Sequence, residues 1–199
     1  EGVIVQSTSI PGLAQRTGAT TYFVEIFPMK AADLNGRLPV LTLLPNPGDI
    51  DVMVASELLE AGRAVQNGFI TPDKTTLIAS THRVYATIEK AAMGDGRTDT
   101  KRIIAAAQEM SREAVLFDMS KVALESSSLI NSVLLGAMAG SGRLPMQRET
   151  LEGVIRDGGI AVENNLHGFA AGFDLASAKT SDTTSSEPRT SHKSIPMTP

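Results

Sequence analysis

The sequence predicts an α/β sandwich built on a mostly parallel sheet, and three observations carry that prediction. From residue 51 onward, short apolar or β-branched runs alternate with stretches of helical periodicity. A strand, helix, strand order of this length implies a right-handed crossover and so parallel strands. With 199 residues, 42% hydrophobic and 20% charged, the chain is long enough for one domain with a substantial core.

Taken in order, Val3 to Gln6 and Thr21 to Ile26 read as strands, because both are β-branched and apolar. Between them, Ser7 to Thr21 gathers Pro11, Gly12, Arg16, Gly18 and several hydroxyl side chains, the composition of a polar loop. Residues 27–50 hold Pro28, Pro39, Pro45 and Pro47 with Gly36 and Gly48, which rules out an uninterrupted helix. Within them, Leu38 to Leu44 fits either a short strand or an apolar excursion of a connector.

Asp51 to Ser56 then reads as a strand and Glu57 to Asn67 as a helix, with Leu58, Leu59, Ala61, Ala64 and Val65 on one side, Ser56 as cap and Gly68 as stop. Thr75 to Ser80 is the next strand. Arg83 to Met93 is ambiguous, and Gly94-Asp95-Gly96 ends it. Thr98 or Asp99 caps a helix reaching about Ser111, and Ala114 to Phe117 is a buried strand with Asp118 at its carboxyl end.

Leu129 to Ala139 is apolar nearly all round and so should be a buried helix, where Gly136 and Gly140, one turn apart, admit a second backbone. Pro145 precedes a helix from Gln147 to Asp157 that Gly158-Gly159 ends, and Ala161 to Phe173 is the last helix. From Ser177 to Pro199 the residues are mostly Ser, Thr and Pro with almost nothing apolar, so a domain is expected over 1–176 and a disordered linker or tail over 177–199.

Composition excludes several functions. Without cysteine the chain can hold no disulfide, zinc–thiolate site or cysteine-bound iron–sulfur cluster. A net charge of −4, no Lys/Arg cluster and no tryptophan argue against a nucleic-acid surface. No apolar run approaches the ~18 residues of a membrane span and no signal-peptide pattern opens the chain, so a cytoplasmic location with no membrane contact is expected. His82, His167 and His192 have no carboxylate or second histidine at ligand spacing, so no metal site is expected. Ser126-Ser127-Ser128 lacks the glycine-flanked elbow of a hydrolase nucleophile.

Ligands of open parallel sheets meet the carboxyl ends of the strands, and three polar groups fall there: the Ser7 to Gly18 loop, Ser56 with Glu57, and Asp118 with Ser120. In the loop, Gln15 and Arg16 offer planar donors suited to a carboxylate, a phosphate or a neighbouring chain's carbonyls, while Gly12 and Gly18 allow close approach. A solvated turn is the alternative. Helix capping is the plainer role for Ser56 and Asp118. Asn131 opens an apolar helix, where a buried amide needs partners, either structural ones or a substrate.

The stretch Ser9-Ile10-Pro11-Gly12-Leu13-Ala14-Gln15-Arg16-Thr17-Gly18-Ala19-Thr20 resembles a segment early in the gamma domain of 2-oxoacid:ferredoxin oxidoreductases, most closely that of the indolepyruvate ferredoxin oxidoreductase beta subunit. Asp51 to Ala61, Thr76 to Thr81 and Asn131 to Ala139 resemble further pieces of that domain in the same order. The resemblance implies a Rossmann-like three-layer sandwich, one component of an enzyme that oxidatively decarboxylates an aryl 2-oxo acid to its acyl-CoA and passes electrons to ferredoxin. It also implies thiamine diphosphate, [4Fe-4S] clusters and coenzyme A in the complete enzyme, none held by this chain alone, and a large thiamine and iron–sulfur subunit as partner. Ser9, Gly12, Gln15, Arg16, Thr17, Gly18, Glu57 and Asn131 are then the expected cofactor or subunit-interface residues. The family's opening strand, glycine-rich turn and helix do not precede Glu1, so an N-terminally incomplete domain is expected. A stand-alone nucleotide-binding module and a non-catalytic assembly subunit are the alternatives.

Overall fold

In the computed structural model the described residues are 2–11, 20–83 and 99–184, with the backbone alone described at residues 10–11 and 181–184. The α/β, Rossmann-like class is borne out: a three-stranded parallel sheet in the order β3 (Val52–Ala55), β4 (Thr76–Ser80), β5 (Glu113–Phe117) has helices on both sides. The contacts divide the chain into two compact units, Glu1–Met53 with Glu57–Leu77 and Arg83–Arg112, and Val54–Ser56 with Ile78–His82 and Glu113–Pro199.

In the first unit, β1 (Val3–Pro11) and β2 (Thr20–Lys30) pair antiparallel as a sheet of their own. This corrects the expectation that the loop begins at Ser7; residues 12–19 lie outside the described residues. The hydroxyl residues continue the ladder instead, Ser7 opposite Val24, Thr8 opposite Phe23 and Ser9 opposite Tyr22, because β-branched and aromatic partners across a strand pair favour extension over a turn. Pro28 is tolerated in β2 because a two-stranded sheet leaves each strand one edge with no ladder to feed. Leu38 to Leu44 is a connector, not a strand. Its Thr42 accepts from Gln6 Nε2 at 2.7 Å and donates its backbone N–H to Glu25 at 2.7 Å, covering the hairpin face that carries Gln6 and Glu25.

Helix α1 (Leu58–Gln66) buries Leu58, Ala61 and Ala64 in one stripe, and Gly68 follows its end at φ +72°. Its N-cap is Glu57, extended and without a side-chain capping bond, so Ser56 is not the cap. Helix α2 (Thr100–Met110) is capped by Asp99, whose carboxylate accepts from the Lys101 N–H at 2.9 Å; Gly62 of α1 lets Ile103 of α2 pack closely. Lys74 bonds Asp49 and lies 3.6 Å from Asp51, and the hydrogen bond to Asp49 holds its ammonium above the usual range. Most of Arg83 to Met93 lies outside the described residues.

Among the described residues the second unit holds four helices. Asp118 caps α3 (Met119–Glu125) by accepting from the Lys121 N–H at 2.9 Å. No such helix was expected, since seven residues are too few for periodicity to show. Helix α4 (Ile130–Gly140) packs on α6 (Val162–Thr184) through glycines from both sides. A Cβ at Gly136 or Gly140 would overlap the carbonyls of Phe169 or Phe173, and one at Gly172 would overlap that of Val133. Between them, α5 (Arg148–Gly158) ends at Gly159 in the left-handed region, and Arg148 stacks 4.5 Å from the Phe173 ring.

Helix α6 continues to Thr184, through the start of the expected tail at 177–199, whose remainder lies outside the described residues. The extension has physical support: Ala176 is fully buried and Ser177 donates to the Gly140 carbonyl at 3.2 Å.

Candidate functional site

The carboxyl ends of β3, β4 and β5 all fall in the second unit, at Ser56, at Ser80–His82 and at Phe117–Asp118. β4 is buried along its whole length, so its last residue, Ser80, is a hydroxyl fully enclosed at that edge. Its Oγ accepts the Met119 N–H at 3.0 Å and lies 2.8 Å from Nδ1 of the half-buried His82, whose own N–H approaches it at 3.4 Å. The Thr81 N–H donates to the Phe117 carbonyl at 2.9 Å, tying the same corner to β5.

Ser80 and His82 were missed as a pair in the sequence. The signal was there: i and i+2 along an extended chain share a face, and a serine closing an apolar strand needs a partner.

Of the predicted site residues, Ser9, Glu57 and Asn131 are among the described ones. Ser9 is exposed in β1 of the first unit. Gly12, Gln15, Arg16, Thr17 and Gly18 lie outside the described residues. Glu57 opens α1 as its N-cap. Asn131 is exposed, correcting the expectation of a buried amide: α4 buries Val133, Gly136 and Ala137, and a residue two positions before Val133 points about 200° away. Polar bonding at that end passes instead through Ser132, which donates to Asn165 Oδ1 at 2.8 Å, while Asn165 Nδ2 donates to the Ile160 carbonyl at 2.9 Å. Asp118 acts as a helix cap, the plainer of its two expected roles.

The donor set does not fit an iron–sulfur cluster. The chain has no cysteine, and among the described residues no group of three or more His, Asp or Glu side chains is placed to hold a metal ion. An open hollow of about 440 Å³ lies in the first unit, lined by Met29, Asp33, Leu34, Asn35 and Arg37. No single helix among the described residues is long and apolar enough to cross a membrane.

The outer face of the hairpin carries exposed apolar side chains. Paired residues across a ladder point the same way, so Val5, Ser7 and Ser9 share a face with Ile26, Val24 and Tyr22. Val5, Tyr22 and Val24 are 52%, 72% and 53% exposed, and that face carries no charged side chain between these positions.

A family model described as pyruvate ferredoxin/flavodoxin oxidoreductase matches residues 1–175. No curated protein and no solved structure matches the chain.

Proposed function

Because the chain belongs to the pyruvate ferredoxin/flavodoxin oxidoreductase family, we propose that it is the gamma-type, cluster-free component of a 2-oxoacid:ferredoxin oxidoreductase and docks onto its redox partner through the outer face of the hairpin. That face carries the reading. A two-stranded ribbon ordinarily needs a further strand or a packed element on its apolar side, and here that side is open.

The occupant is the large thiamine diphosphate and iron–sulfur subunit or domains of the same enzyme. Members of the family work in thiamine and iron–sulfur enzymes, and this chain has no thiolate with which to hold a cluster itself. An uncharged face of Val, Ser and Tyr suits an apolar partner surface with hydrogen bonding at its rim. In this reading Ser9, Gly12, Gln15, Arg16, Thr17 and Gly18 contribute to the partner or coenzyme A edge, with Glu57 as a further contact. The substrate is an aryl 2-oxo acid such as indolepyruvate, decarboxylated to its acyl-CoA, with electrons leaving to ferredoxin through the partner. The resemblance of residues 9–20 supports that finer assignment.

Co-expression with the partner tests it. The wild-type chain is expected to co-elute with the partner and support 2-oxo-acid-dependent ferredoxin reduction. A Tyr22→Asp, Val24→Asp double variant should keep its circular dichroism spectrum and lose co-elution. Full assembly and activity from the folded double variant would refute docking through this face.

A further inference from the structure

The Ser80 hydroxyl bears on which nitrogen of His82 carries the proton, because it lies 2.8 Å from Nδ1. Ser80 is fully buried, and its oxygen already accepts the Met119 N–H at 3.0 Å. Its own O–H proton must find an acceptor, since a buried hydroxyl left unpaired is costly. Among the described residues one acceptor lies within reach, Nδ1 of His82 at 2.8 Å. Nδ1 therefore accepts, and the neutral ring carries its hydrogen on Nε2. Nε2 makes no hydrogen bond among the described residues, and His82 is only half-buried.

We propose that Ser80 is a positioning residue that holds His82 as a fixed Nε2–H donor, and that His82 receives an anionic oxygen, carboxylate or phosphate, at the carboxyl edge of the parallel sheet. The ligand class follows from complementarity. The free atom is a donor, so it selects acceptors, and ionised oxygens are the strongest acceptors for an N–H. The location is the edge where ligands of open parallel sheets sit. The pair is also anchored: the Ser80 oxygen is bonded to the first N–H of α3, so the ring is referenced to β4 and to that helix together.

The test is a long-range ¹H–¹⁵N correlation spectrum of the full chain, with His167 and His192 as internal references. The His82 pattern is expected to show a protonated Nε2 and a bare Nδ1; a protonated Nδ1 would overturn the proposal in the wild-type protein alone. Ser80→Ala should turn the pattern into a mixture of tautomers, and Ser80→Thr, which keeps the hydroxyl, should restore it. A pattern unchanged in folded Ser80→Ala would remove Ser80 from the positioning role.

Inorganic phosphate and acetate, titrated separately, distinguish the two sources of anion. At least one should move the His82 Nε2 resonance saturably while His167 stays put, and His82→Ala should weaken that anion's binding by about tenfold. If neither anion moves it, or both move His167 equally, the ligand assignment fails.

Discussion

The β1–β2 hairpin and the α4–α6 helix pair solve the same problem, how to place two elements side by side, in opposite ways. The helices meet backbone to backbone, with Gly136, Gly140 and Gly172 at points where a single added carbon would strike a neighbouring carbonyl. The hairpin pairs its two strands along one edge of each and leaves Val5, Tyr22 and Val24 in the open. One region is closed by its own sequence. The other pairs one edge of each strand and leaves apolar side chains exposed, which is how a surface looks when its cover lies on another molecule.

The largest expected effect breaks the closed side. Gly136→Ala places a Cβ against the Phe169 backbone, which cannot rotate away as a side chain would, and should cost about 3 kcal/mol in denaturant unfolding. Next is the Arg143 contact to Glu113, at 2.6 Å. Glu113 is buried, so Arg143→Met leaves a carboxylate without its partner and should cost about 1–2 kcal/mol, the range reduced because the arginine is partly exposed.

The third expectation sharpens the contrast by reversing its sign. Gly153 lies inside α5 with ordinary helical φ, and no atom comes within 4 Å of the place an added methyl would take, so Gly153→Ala should stabilise by about 0.5–1 kcal/mol in the same assay. Glycines that look alike in sequence thus separate by packing.

The smallest effect is electrostatic. Glu152 accepts from Arg148 at 2.8 Å and from Arg156 at 3.1 Å, and the Arg148 bond first among these holds its carboxyl below the usual 4.5. A lowered folded-state value stabilises at pH above the unfolded value and is lost as pH falls through the folded one. Glu152→Gln should therefore cost a few tenths of a kcal/mol near neutrality, and the difference should shrink as pH falls below 4.5 and close as it passes the lowered folded value, in paired melting curves.

Much of this architecture was legible in the residues. Strands β3 to β5 and helices α1, α2, α4 and α5 fall within a few residues of their expected bounds, because apolar periodicity and caps such as Asp99 act locally. Gly136 and Gly140 were readable as a close approach, though their partners Phe169 and Phe173 were not, since pairing of distant helices leaves no local mark. The hairpin was half legible. Val3 to Gln6 and Thr21 to Ile26 read as strands, but Ser7 to Ser9 joined them through cross-strand pairing that composition does not encode. Asn131 misled because an all-apolar helix hides which of its sides is buried. Ser80 and His82 left a local mark in their i, i+2 spacing, but the Met119 N–H that anchors the corner lies far along the chain.

Hydrogen–deuterium exchange on the chain, free and in complex with the proposed thiamine and iron–sulfur partner, tests the central claim most directly. Slowed exchange in Val3–Pro11 and Thr20–Lys30 on assembly, with α4 and α6 unchanged, is the expected result. An assembled, active complex in which those two strands exchange as fast as in the free chain would contradict it.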